Sequence, residues 1–175
     1  MPEFYFDTET TGGDLLEDKI ITIQWQRIGG LTGEPIGDLN ILREWDSSEE
    51  EILRRFLPNL KTENPFDFIM VGESLLFDFM FLSYRAERYG IEGLDLRHWH
   101  DRAWIDLKPI FVMINEGRFK GWSRVIDKPE VDVPRLYREG KYSEIIKYIR
   151  DEAVVFLRAY QILKREMPSL RGKLS

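Results

Sequence analysis

The chain contains no cysteine, which excludes disulfide bonds, thiolate metal sites and cysteine nucleophiles. It has only two histidines, so a metal site would have to be built mainly from oxygen ligands. Side-chain amides are also scarce, with four Asn and three Gln, whereas charged residues make up 32% of the chain. This composition is typical of proteins from hot environments.

Long apolar runs are missing as well, and none approaches the length of a membrane span. Pro2 and Glu3 do not resemble the basic start of a signal peptide, so we expect a cytoplasmic protein without a membrane partner. The 175 residues, 43% of them hydrophobic, suffice for one domain. We expect this domain over residues 1–166 and a loose tail over residues 167–175.

The net charge of −6 is the wrong sign for a protein that coats nucleic acid along its length. Such binding depends on neutralising many phosphates with basic side chains. An enzyme that holds a single strand end needs fewer of these contacts. The net charge therefore argues against the first class of protein and leaves the second open.

Phe4, Tyr5 and Phe6 lead directly into Asp7 and Glu9. Three consecutive aromatic residues are typical of a buried strand, and alternate residues of a strand point to the same side. The two carboxylates should therefore project together and repel each other unless a cation lies between them. The pattern predicts a divalent-metal site of oxygen ligands. The alternative for an Asp-x-Glu pair is a strand that ends in a polar, solvated turn.

The remaining chain alternates strand and helix patterns, which indicates an α/β protein. Further strands are predicted over residues 19–28, 37–45, 66–71 and 103–107, the first three strands forming an antiparallel meander. Helices are predicted from the serine caps at residues 47–48 to just before residue 58, from about 72 to 90, over 109–116 and over 143–166.

Asp78 stands among seven large apolar residues near the start of the second predicted helix. Burial of an isolated carboxylate is costly, so such a group normally stays in water or acquires a partner. We therefore consider two positions for Asp78. It either faces the same metals as Asp7, or it occupies a helix cap or a solvent-facing position.

Two motifs resemble those of the DEDD, or DnaQ-like, 3′–5′ exonuclease superfamily. Phe-Asp-Thr-Glu-Thr-Thr-Gly at residues 6–12 resembles the first motif, and Gly-x4-Phe-Asp-x3-Leu at residues 72–82 resembles the second. The family usually has Asn where this chain has Ser74, and Asp106 resembles a common non-catalytic aspartate of the family. The resemblance, which spans residues 4–163, implies a ribonuclease-H-like fold: three layers, with a five-stranded mixed sheet and helices on both faces.

The third motif of the superfamily takes the form His-x4-Asp or Tyr-x3-Asp. Both histidines lie far upstream, which leaves the tyrosine branch and Tyr148, followed by Asp151 and Glu152. Helical phase places Glu152 at the border of the buried stripe and Asp151 in water. Tyr148 and Glu152 are also neighbours at i and i+4. We assign the fourth acid to Glu152, with Asp151 as the alternative. A third hypothesis is that both are surface acids and that the site has only three carboxylates. The stripe consists of Ile145, Ile149, Ala153, Phe156 and Tyr160.

The resemblance also implies the chemistry of the site. Two Mg²⁺ or Mn²⁺ ions would be bound, with Asp7 shared between them. Glu9 and Glu152 would complete the site of the ion that carries the attacking water, and Asp78 would hold the second ion through water. Tyr148 would orient the nucleophile. The products would be nucleoside 5′-monophosphates released from a 3′ end.

Candidate substrate-binding residues flank these acids and extend into the stretch 118–124, which interleaves three cations with two aromatics. This composition suits phosphate contact and base stacking with single-stranded nucleic acid. A solvated loop anchored by its aromatic residues is an equal alternative. The candidates are Thr10, Thr11, Gly12, Phe77, Lys120, Trp122 and Arg124.

We expect single-stranded DNA as the substrate, as in an archaeal, thermophilic single-strand-specific exonuclease. RNA or a short oligoribonucleotide stays open, because no residue visibly reads a 2′-hydroxyl. A degenerate member of the fold that binds nucleic acid or a protein without cleavage is the alternative from another class. A homo-oligomer and a replication or repair partner are both compatible with the sequence.

Overall fold

A computed structural model of the chain describes residues 1–61, 64, 67–92, 94–117 and 131–168. Within these residues the strands are β1 (Glu3–Thr10), β2 (Ile20–Ile28), β3 (Pro35–Arg43), β4 (Ile69–Gly72) and β5 (Ala103–Asp106). The helices are α1 (Glu49–Leu60), α2 (Leu75–Arg88), α3 (Leu96–Asp101), α4 (Lys108–Ile114), α5 (Val133–Arg138) and α6 (Tyr142–Glu166). None of them has both the length and the apolar character that crossing a bilayer requires.

The five strands form one mixed sheet in the order β3-β2-β1-β4-β5. The first three strands pair antiparallel, because short connections join them, and this confirms the predicted meander. The other two strands run parallel to β1, each after a crossover that contains a helix. The strand that carries Asp7 and Glu9 therefore lies at the centre of the sheet.

The two faces of β1 pack against different helices. Phe6 lies in the core formed with α1 and α2, where its ring stacks on that of Phe56 at 5.2 Å. Tyr5 points to the other face and contacts Phe156 of α6, with the ring centroids 5.0 Å apart. The sheet is thus covered on both sides, as predicted, and the alternation of β1 determines which helix each of its side chains meets.

The long helix α6 buries the stripe predicted for it, from Ile145 to Tyr160. Glu152, on the border of this stripe, is only 8% exposed, whereas Asp151 is exposed. The C-terminal half of α6 is tied to the start of β1 by two bonds to Glu3. The Tyr160 hydroxyl donates to Glu3 Oε2 at 2.8 Å, and Lys164 Nζ donates to Oε1 at 2.6 Å.

Some boundaries differ from the predicted ones. The first helix continues through Pro58 to Leu60, although we predicted its end before the proline. Proline removes the hydrogen bond to the carbonyl of Arg54, but both residues are exposed, so water can replace that bond. Burial of Leu60 anchors the last turn. The division into one domain and a loose tail stays a prediction, and residues 169–175 lie outside the described ranges.

Candidate metal centre

Three carboxylates converge on the side of the sheet that α6 covers. One oxygen from each of Asp7, Glu9 and Glu152 lies within 4.8 Å of the other two. Asp7 and Glu9 share this side because they are two residues apart on β1, and Glu152 reaches it from α6. Three negative charges at this separation repel one another strongly unless a cation lies among them. The donor set, made only of carboxylate oxygens, fits Mg²⁺ or Mn²⁺.

Asp78 approaches the same acids from the opposite face of β1. It is 2% exposed, and its Oδ1 accepts a hydrogen bond of 2.5 Å from Thr8 Oγ1. Burial raises the pKa of Asp78 well above the usual range, and the charge of Asp7 raises it further, whereas the bond from Thr8 lowers it. Asp78 is therefore electrostatically linked to the cluster, although it is not one of the three residues whose oxygens converge.

The position of Asp78 depends on how α2 begins. Asp106 at the end of β5 accepts hydrogen bonds from the backbone amides of Ser74 and Leu75, both at 3.0 Å. Ser74 adopts a left-handed conformation with φ 61°, and its hydroxyl accepts a bond of 2.9 Å from Lys108 Nζ. These bonds fit the structural role expected for Asp106, because the carboxylate caps α2 from a neighbouring strand.

Gly72 allows the start of α2 to approach β1. A Cβ atom at this position would lie 2.5 Å from the carbonyl oxygen of Phe6 and 2.6 Å from a methyl carbon of Leu75. The first contact involves backbone, which cannot give way as a flexible side chain could. A larger residue would therefore push the end of β4 away from β1 and crowd Leu75, the first residue of the helix that carries Asp78.

Two phenols lie among the acids. Burial raises the pKa of Tyr148, and the charges of Glu152 and Glu9 raise it further, so its hydroxyl stays protonated at neutral pH. Tyr5 is buried, and its hydroxyl donates to Asp7 Oδ2 at 3.4 Å. Burial also raises the pKa of Tyr5, with the charge of Asp7 as the next cause. Tyr5 was not among the predicted site residues, although its spacing of two residues from Asp7 on one strand was an available signal.

A further carboxylate that the sequence did not predict lies near the site. Glu73 follows β4 directly, and β4 ends at the same edge of the sheet as the parallel strand β1. Burial raises its pKa, the Ser74 hydrogen bond and the charge of Lys108 lower it, and the charges of Asp106 and Glu152 raise it. Glu73 is thus part of the negative potential around the site.

The turn after β1 is held by its own side chains. Thr10 Oγ1 donates to the carbonyl of Gly12 at 2.6 Å, and Thr11 Oγ1 donates to Asp18 Oδ1 at 2.9 Å. Asp18 Oδ2 also accepts from the backbone amide of Asp14 at 2.9 Å. These contacts give Thr10, Thr11 and Gly12 a structural role, and substrate binding by them stays a prediction.

Phe77 is 40% exposed next to Asp78, and its ring packs against that of Phe81 at 4.7 Å. Its outer edge is thus accessible to a substrate. The other predicted substrate-binding residues, Lys120, Trp122 and Arg124, lie outside the described residues. Their role also stays a prediction.

A groove of about 460 Å³ opens beside Glu152. Leu136, Tyr148 and Val155 line it together with the cation Lys147, and Asp151 lies on its wall. Its volume falls in the usual range for sites that bind small molecules. The groove therefore reaches the triad at Glu152, the member that lines it.

Replacing Asp78 by Asn is expected to stabilise the metal-free protein at pH 7 by about 1–2 kcal/mol, in the usual range for a single stabilising substitution. The raised pKa means that the folded state binds the proton more tightly than the unfolded chain does. The contribution of Asp78 therefore favours folding below about pH 4, the usual range for Asp, and is lost as pH rises toward the folded-state pKa. Asparagine has no such loss.

Thermal unfolding in excess chelator between pH 4 and pH 8 tests this expectation. The melting temperature of Asp78→Asn should exceed that of the wild type by a margin that grows with pH. The exposed residue Asp151 provides the control, since Asp151→Asn should leave the melting temperature nearly unchanged. A constant or negative margin for Asp78→Asn would show that burial does not oppose the charged form.

No family model and no curated protein sequence matches the chain. Solved structures do match its fold. The structure of E. coli exonuclease I with a dT13 oligonucleotide aligns with a TM-score of 0.62 and 15% identity, over 99% of this chain and 43% of that chain. A product-bound structure of exonuclease I aligns with a TM-score of 0.61 and 16% identity, over 99% of this chain and 45% of that chain. E. coli exonuclease I with a dA16 oligonucleotide aligns with a TM-score of 0.52 and 16% identity, over 75% of this chain and 32% of that chain.

The chain thus spans less than half the length of these exonuclease I structures. At this level of identity the likeness establishes the fold and leaves the activity to be argued from the site. The order and directions of the five strands agree with it, and the predicted fold is confirmed. The chain has the ribonuclease-H-like fold that exonuclease I also has.

Proposed function

We propose that this protein is a metal-dependent 3′–5′ exonuclease of the DEDD superfamily that releases nucleoside 5′-monophosphates from single-stranded DNA. The observation that carries the proposal is the convergence of Asp7, Glu9 and Glu152 beside Tyr148. The fold likeness to exonuclease I supports the substrate class, since that protein has been solved with dT13 and dA16 oligonucleotides.

The acids divide into two groups that would hold two Mg²⁺ or Mn²⁺ ions. Asp7, Glu9 and Glu152 would hold one ion, and Asp78, which reaches the acids from α2, would hold the other together with Asp7. When bound, the ions would activate a water molecule and stabilise the charge that develops on the phosphate.

Tyr148 would orient the reacting groups by hydrogen bonding. Its raised pKa keeps the hydroxyl protonated, so the phenol donates a proton in a hydrogen bond and does not act as a base at neutral pH. Glu152, one turn further along α6, fixes the position of this hydroxyl relative to the acids.

The groove beside Glu152 would receive the end of the strand. Lys147 on its wall can contact a phosphate, and Leu136 and Val155 provide apolar surface for a base or a sugar. A net charge of −6 leaves little surface for tracking along a duplex, which favours a single-strand end.

The proposal is tested with DNA and RNA oligonucleotides of matched sequence, single-stranded and duplex, each labelled at the 5′ or the 3′ end. We expect mononucleotide release from the 3′ end of single-stranded DNA with Mg²⁺ or Mn²⁺, and no release in excess chelator. Protein carrying Asp7→Asn, purified in the same way, controls for a contaminating nuclease.

Other outcomes separate the alternatives. Faster hydrolysis of RNA would favour the exoribonuclease reading, and binding without hydrolysis would favour a degenerate member of the fold. Release from the 5′ end, or full activity in excess chelator, would contradict the proposal.

A further inference from the structure

Two polar residues of β2 lie in the interior of the protein directly opposite the acids. Thr22 and Gln24 both have 0% of their surface exposed. In the antiparallel pairing of β1 with β2, Gln24 faces Asp7 and Thr22 faces Glu9, so their side chains share the face that α6 covers. A buried polar group is costly unless it is hydrogen-bonded, and an apolar residue would fill this space at lower cost. Thr22 and Gln24 should therefore each have a hydrogen-bond partner inside the protein.

The hydrogen bonds identify that partner. Gln24 Nε2 donates to Asp7 Oδ2 at 3.0 Å, and Gln24 Oε1 accepts from Thr22 Oγ1 at 3.0 Å. An ionised carboxylate only accepts hydrogen bonds, so the nitrogen of the amide must face Asp7 and the oxygen must face Thr22. The chain of bonds therefore has one direction, from Thr22 through Gln24 to Asp7.

This chain fixes the orientation of the Asp7 carboxylate. Tyr5 donates to the same oxygen, Oδ2, at 3.4 Å, so two donors from the protein meet on one side of the group. Tyr5 and Gln24 are both buried, so water does not compete with them for this oxygen of Asp7. The carboxylate plane is thus held in place before any cation binds.

We propose that Gln24, itself oriented by Thr22, is a positioning residue for Asp7 that prepares the carboxylate to bind a divalent cation together with Glu9 and Glu152. The effect on hydrolysis rests on the proposed function, whereas the effect on cation binding does not. Hydrogen-bond partners of metal ligands typically contribute 10- to 100-fold to metal affinity.

The experiment measures Mn²⁺ binding to the nucleotide-free full chain by titration calorimetry. Gln24→Leu is expected to weaken binding about 10- to 100-fold. Gln26→Leu is the matched control, because Gln26 is the next residue of this face on the same strand, is also buried, and donates to the Gly37 carbonyl at 2.7 Å, not to an acid. Its Mn²⁺ affinity should equal that of the wild type.

A second pair of variants tests the direction of the chain and covers a Gln24 variant that fails to fold. Thr22→Val keeps the size of the side chain but removes the hydroxyl, and is expected to weaken Mn²⁺ binding. Thr22→Ser keeps the hydroxyl and should restore the wild-type affinity. A purely structural role would lower the melting temperature of Thr22→Val without changing its Mn²⁺ affinity.

The outcomes for this inference and for the proposed function are distinct. Equal Mn²⁺ affinity in the wild type, Gln24→Leu and Thr22→Val overturns the positioning role and leaves the nuclease proposal standing. Weakened binding in these variants, in a protein whose wild type hydrolyses no nucleic acid, supports the positioning role and overturns the nuclease proposal. A wild type that binds no Mn²⁺ overturns both.

Discussion

Asp7→Asn is expected to lower exonuclease turnover at saturating Mg²⁺ by at least about 10³-fold. Bound metal ions contribute several kcal/mol of charge stabilisation in the transition state, and each 1.4 kcal/mol corresponds to about a factor of ten in rate. Asp7 is the acid shared by both proposed ions, so its replacement by neutral Asn weakens the binding of both ions at once. The measurement is the rate at which a 5′-labelled single-stranded DNA is shortened.

Asp38→Asn is the control for this substitution, because Asp38 is a strand carboxylate of the same size that lies exposed on β3. Its turnover should match that of the wild type, since exposed substitutions away from a site usually have small effects. Circular dichroism establishes that both variants are folded. Undiminished hydrolysis by folded Asp7→Asn would remove this residue from the proposed site.

Glu152→Gln and Asp151→Asn are expected to differ in turnover by at least about 10²-fold, although they make the same change of charge at adjacent positions. Glu152 is 8% exposed and belongs to the converging triad, whereas Asp151 is exposed. Loss of one carboxylate ligand removes several kcal/mol of stabilisation, and Asp151→Asn should change turnover less than about twofold. Turnover and Mn²⁺ affinity are measured for both variants on one single-stranded substrate.

The pair also decides between the two assignments of the fourth acid. Asp151 lines the same groove as Glu152, so it would be near a substrate in either case. An inactive Asp151→Asn beside an active Glu152→Gln would move the metal ligand to Asp151. Full activity in both variants would mean that the site functions with the carboxylates of β1 and α2 alone.

The sequence predicted those parts of the site that depend on local periodicity. Asp7 and Glu9 share one side because a strand repeats every two residues, and this holds wherever the strand lies in the fold. Helical phase separated Glu152 from Asp151, since neighbouring residues of a helix differ by about 100°. The buried stripe of α6 follows the same rule.

Interactions between distant elements were not predictable in this way. Gln24 meets Asp7 only because of the register between β1 and β2, and Asp106 caps α2 only because β5 lies beside β4. Asp78 reaches the site from α2, on the face of β1 opposite the triad, where it accepts a hydrogen bond from Thr8. Its part in holding a metal together with Asp7 stays a prediction. No local pattern in the sequence specifies which face of the central strand a helix covers.

The pairing of β1 with α6 joins residues that are far apart along the chain, such as Glu3 and Tyr160, which are 157 positions apart. A cation held by Asp7, Glu9 and Glu152 would act as a reversible cross-link between the same two elements. A covalent link that closes a 100-residue loop contributes about 4.7 kcal/mol to stability in the chain-entropy model. A cross-link made by a dissociable ion contributes to stability according to the occupancy of the ion site, about 2.7 kcal/mol at a free-ion concentration 100 times Kd. Resistance to heat and the capacity to hydrolyse nucleic acid would therefore rise and fall together with the free divalent-ion concentration around the protein.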